Sequence, residues 1–126
     1  MDIGESTVLE IIYRTLSPRQ IETSLIYWDK QVIEKGKKIR IGPQSIPMPY
    51  DGMMIFVDLN PRYNWAHPCL YLLVNVDNLN TDIIEASFPP YSGEFPETFS
   101  IVLRYGKKPP HERVFQIFDE KTEGGE

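Results

Sequence analysis

The chain has one cysteine, Cys69, so no disulfide can form within it. A lone thiol suits a reducing compartment. No apolar run approaches the roughly 20 residues a spanning helix needs. The opening Met-Asp-Ile-Gly-Glu-Ser lacks the basic and apolar regions of a secretory leader. Cations are in deficit, with a net charge of -5. That argues against phosphate-backbone binding and against docking on an anionic membrane. There is no CxxC, no HExxH and no Gly-rich phosphate loop. His67, Cys69 and His111 are too few and badly spaced for a zinc site, and no Met follows Cys69 to complete a copper site. These absences predict a cytoplasmic protein that uses no metal and no cofactor, and whose partner is another protein.

What is present fits one domain over residues 1–126, large enough to bury a core without a covalent staple. Residues 119–126 are polar, acidic and contain two glycines, and read as a disordered tail. Thr7 and Glu10 have capping-box spacing, and Val8, Ile11, Ile12 and Leu16 keep helical intervals, though their β-branched side chains also suit a strand. Ser17-Pro18-Arg19-Gln20 is a stronger start signal, with an N-cap serine, a proline at the first helical position and a glutamine at the third. Ile21, Leu25, Trp28 and Val32 follow at helical spacing, and Gly36 suits the residue after a helix. The pattern predicts a helix over 18–35, with Lys30, Lys35, Lys37, Lys38 and Arg40 as its solvated C-terminal cations.

Strand signals follow at 37–41 and at 46–50, the second limited to an edge by Pro47 and Pro49. Met53 to Leu59 and Leu70 to Val76 are nearly continuous apolar runs, as in central strands covered on both faces. Residues 81–87 are ambiguous. Residues 98–105 alternate, with Phe99, Ile101, Leu103 and Tyr105 on one side, and 113–118 read as a last strand. The sum is an α+β fold, one or two N-terminal helices packed on an antiparallel sheet of about five strands. The alternative is a β-sandwich in which 21–41 form a hairpin.

Two loops concentrate chemistry. Residues 60–68 hold Arg62, Tyr63, Trp65 and His67, and residues 88–96 hold Phe88, Tyr91 and Phe95 among prolines. Aromatic residues and Arg are enriched at interfaces, and Pro limits the entropy lost on docking. The competing reading folds these rings back onto the ends of the core. Cys69 with His67 two residues earlier offers a second possibility, a thiol nucleophile with a His base. Against it, Pro68 separates them and Cys69 opens an apolar run, where a small thiol is usually packing. Asp51, Asp58, Asp77 and Asp82 read as turn residues.

Ile41-Gly42-Pro43, Tyr50-Asp51-Gly52, Phe56, Pro61 to Trp65 and His67-Pro68 resemble signposts in the sheet of ubiquitin-conjugating enzymes, over roughly residues 41–68. A helix precedes the sheet in both. Cys69 stands where that family has Asn, and no later Cys could carry a thioester, so the resemblance implies a catalytically inactive variant. The residues themselves point to a non-catalytic interaction module, an adaptor or complex subunit, using loops 60–68 and 88–96.

Overall fold

Met53 to Val57 and Cys69 to Val74 bury every side chain, because both faces of their sheet are covered. The computed structural model describes residues 3–62, 67–88 and 97–109. The expected strand at 113–118, the tail at 119–126 and His111 lie outside these residues. Helix α1 (Glu5–Thr15) and helix α2 (Pro18–Thr23) precede seven strands. These are β1 (Leu25–Ile33), β2 (Lys38–Ile41), β3 (Gln44–Pro47), β4 (Gly52–Asp58), β5 (Cys69–Asn75), β6 (Thr81–Ala86) and β7 (Phe99–Arg104). Five form one antiparallel sheet in the order β6-β5-β4-β1-β7, and β2 and β3 form a separate hairpin. The α+β architecture is therefore the one expected. No described helix is long and apolar enough to cross a membrane.

Alternation sorts the side chains of each strand to two faces. Ile26 and Trp28 of β1, Met53, Ile55 and Val57 of β4, and Leu70, Leu72 and Val74 of β5 share a core with Val8, Ile11 and Ile12 of α1. On the opposite face Met54, Phe56, Cys69, Tyr71 and Leu73 pack with Ile39, Ile41 and Met48 from the hairpin and its exit. The result is three layers, helix on sheet on hairpin.

The helix expected over 18–35 is corrected to six residues. Its start is as read. Ser17 Oγ accepts the Gln20 amide at 3.1 Å, and Gln20 Oε1 accepts the Ser17 amide at 2.9 Å. At Ser24 the backbone turns extended, and β1 bonds to β4 on one side and β7 on the other. The cations at 30–40 accordingly lie on the end of β1, the following turn and β2. In α1 the cap is Gly4, so Thr7 lies inside the helix. β7 departs from simple alternation too. A bulge lets Ile26 pair Leu103 and Tyr27 pair Ile101, so Leu103 joins Val102 on the helix face while Phe99 stays on the hairpin face.

Candidate functional site: one pole of the sheet

The registers place the start of β1, the end of β4, the start of β5, the end of β6 and the end of β7 at one pole. Their outermost row reads Ala86, Cys69, Asp58, Leu25, Arg104 across the sheet. Both ends of the 60–68 loop and the start of the 88–96 loop are therefore side by side, while the latter loop leads to the far end of β7, where Phe99 pairs Asp29. Three bonds join the roots. The His67 amide donates to Ser87 O at 3.0 Å, the Tyr71 hydroxyl to Phe88 O at 2.7 Å and the Cys69 thiol to the same oxygen at 3.1 Å. Of the expected interface residues, Arg62 is exposed here, Phe88 is 44% exposed beside Gly42, and His67 is buried. Tyr63, Trp65, Tyr91 and Phe95 lie outside the described residues.

His67 Nε2 lies 2.7 Å from Asp58 Oδ1, which also accepts the Asn60 amide at 3.1 Å. Asp58 ends β4 and faces Cys69 across the sheet, so it holds the neck of the 59–68 loop shut rather than merely shaping a turn. Asp82 is likewise a strand residue, with Oδ2 2.7 Å from the Tyr50 hydroxyl. Sequence patterning missed the Asp58–His67 pair because only the β4–β5 register brings them together.

Cys69 is 1% exposed. Burial first, and the Asp58 carboxylate second, push its thiol up to about 11. Burial and Asp58 also raise the Tyr27 hydroxyl, while Arg104 opposes them. A poised nucleophile needs the reverse, a cationic neighbour and access. Cys69 should therefore resist iodoacetamide between about pH 5 and pH 9 and label only once denaturant is added, with His67→Ala leaving that profile unchanged. The unfolded thiol ionises near 9.0, so the unfolded chain loses this proton first. The thiol's contribution to stability should then hold below about pH 9 and fall as pH climbs towards about 11, as denaturant titrations would read. Among the described residues no group of three or more His, Cys, Asp or Glu could hold a metal ion.

The same pole carries an open cleft of about 740 Å³. Leu59 and Pro61 supply apolar surface, α2 contributes Arg19, Glu22 and Thr23, and Asn60 and Arg62 come from the loop. Tyr105 lines it from the turn after β7, 43% exposed. That turn is tight. Tyr105 and Gly106 have φ of 53° and 82°, and Arg104 and Lys107 exchange amide bonds of 2.8 and 3.0 Å. This is the type I′ pattern, which normally takes Asn-Gly. Gly106 suits it, and its backbone sits against Ile21 and Glu22 of α2. A second recess of about 530 Å³ shares Leu59 with the cleft and passes Pro68 to Ser87 at the other loop's root. Arg19 and Tyr105 were not legible as site residues, since helix cap and strand end explained them locally.

The segment resembling ubiquitin-conjugating enzymes falls on the β2–β3 turn, β4 and the loop after it, and His67-Pro68 leads straight into β5, an interior strand. No family model, curated protein or solved structure matches the chain.

Proposed function

We propose that this chain is a non-catalytic protein-interaction module that recognises its partner at the pole where loop 60–68 is rooted and loop 88–96 begins. The observation that carries this reading is the cleft between α2, residues 59–62 and the β7 turn. It combines an apolar floor with two arginines and an aromatic ring, the residue types that dominate interface energetics. Tyr105 adds weight. A bulky side chain in the left-handed region costs stability that Gly or Asn would not. Its presence there is explained if the ring itself is used. The buried, high-pKa thiol and the Asp58–His67 pair, committed to holding the loop neck, support a binding role over a thiol-enzyme role.

The test is partner capture from the source cell by the tagged chain, comparing wild type with Arg62→Glu/Tyr105→Asn. Asn relieves the left-handed backbone while removing the ring, and Arg62 is exposed, so thermal stability should change little. A partner bound by wild type should be lost by about tenfold or more in the variant. Equal capture by both chains would contradict the reading.

A further inference from the structure

We propose that the partner segment taken by this cleft is an acidic extended peptide with an apolar residue for the Leu59–Pro61 floor. This rests on the reading of the pole as a recognition surface and names its chemistry. The charge distribution carries it. The chain as a whole is anionic at -5; five of its 13 Lys and Arg gather at this pole, and another five, Lys30, Lys35, Lys37, Lys38 and Arg40, lie on the end of β1, the following turn and β2. Arg19 and Arg62 line the cleft itself. Arg104, Lys107 and Lys108 flank Tyr105, whose turn packs on α2 beside them.

Among the described residues, Glu22 in the cleft and Glu85 at the end of β6 stand against these five, while Asp58 is bonded to His67. Neither Arg19 nor Arg62 has a side-chain hydrogen bond or ion pair among the described residues. Two uncommitted guanidinium groups, one from α2 and one from the loop after β4, offer bidentate donors to carboxylates. Charge complementarity at the cleft therefore favours an acidic segment over a neutral or basic one.

The experiment measures anisotropy of a fluorescein-labelled octapeptide of six glutamates around a Leu and a Phe, with Gln and Lys versions as controls. The acidic peptide should bind about tenfold or more tightly than the Gln version and fail to bind in Arg19→Glu/Arg62→Glu. Its affinity should fall as salt rises from about 50 to about 300 mM. Equal binding of the Glu and Gln peptides overturns the proposal. If partner capture still depends on Arg62 and Tyr105 in that case, the recognition surface stands and only the acidic partner is lost.

Two further results would also overturn it. One is a single-stranded oligonucleotide binding more tightly than the acidic peptide. The other is peptide binding that appears only when Asp119, Glu120, Glu123 and Glu126 are changed to Asn and Gln, which would assign the cleft to the chain's own acidic segment.

Discussion

Phe56→Ala is expected to cost about 3–5 kcal/mol, the range for deleting a fully buried aromatic ring. Phe56 is 1% exposed at the centre of the sheet's hairpin face. Its ring centroid lies 5.2 Å from that of Tyr71 and 6.0 Å from that of Tyr27. The three residues are register partners across β5, β4 and β1, so the cavity would open in the middle of the row. Their backbones are tied by ladder bonds on both sides and cannot collapse into the space. Equilibrium urea unfolding would read the loss as a lower midpoint at nearly constant slope. A loss below about 1 kcal/mol would mean that the hairpin layer closes over the cavity. Phe88→Ala, at a half-exposed ring, should cost much less.

Gly52→Ala should cost about 3 kcal/mol, although it adds only a methyl group. A Cβ at Gly52 would sit 2.5 Å from the Val74 carbonyl oxygen, 2.7 Å from Met48 Cε and 3.1 Å from Tyr50 Cδ1. The methionine end can swing aside. The carbonyl cannot, because β5 is fixed between β4 and β6, with Val74 opposite Met53 and Thr81. The same site explains how the hairpin layer approaches the sheet so closely, since Met48 is 1% exposed over it. An unchanged melting temperature for Gly52→Ala would show that the strands there separate easily.

The central strands were legible because their pattern has one interpretation. Met53 to Val57 and Leu70 to Val74 are apolar at each position, and only double-sided burial needs that. β1 is also an interior strand, between β4 and β7, but it is buried only in part and reads differently. Ile21, Leu25, Trp28 and Val32, widened by Ile26 and Ile33, match a helical stripe only because Tyr27 is ignored. Taken consecutively, Leu25 to Trp28 are all apolar or aromatic, serving one core with Ile26 and Trp28 and packing Tyr27 against the other. A genuine helix cap at Ser17, eight residues upstream of Leu25, then extended the wrong period. Gly36 carries the expected positive φ of 89°, but in the turn between β1 and β2, where its amide donates to Met48 O. The conformation was readable, and the element it terminated was not.

The candidate site was half legible for a similar reason. Composition drew attention to 60–68 and 88–96, and the sheet brings both ends of the first and the start of the second to one pole. Arg19, Asp58 and Tyr105 join that pole through strand register and crossover, which pair residues dozens of positions apart and leave no local trace. The bulge in β7 is equally silent, since Ser100 to Tyr105 alternates well enough to conceal that Val102 and Leu103 share a face.

The most direct measurement of the account is amide chemical-shift mapping of the labelled chain during titration with the acidic octapeptide. The shifts should concentrate at residues 19–24, 59–62 and 104–108 and vanish from all three in Arg19→Glu/Arg62→Glu. Shifts centred on the β2–β3 hairpin or on the exposed side of α1, with the pole unmoved, would contradict it.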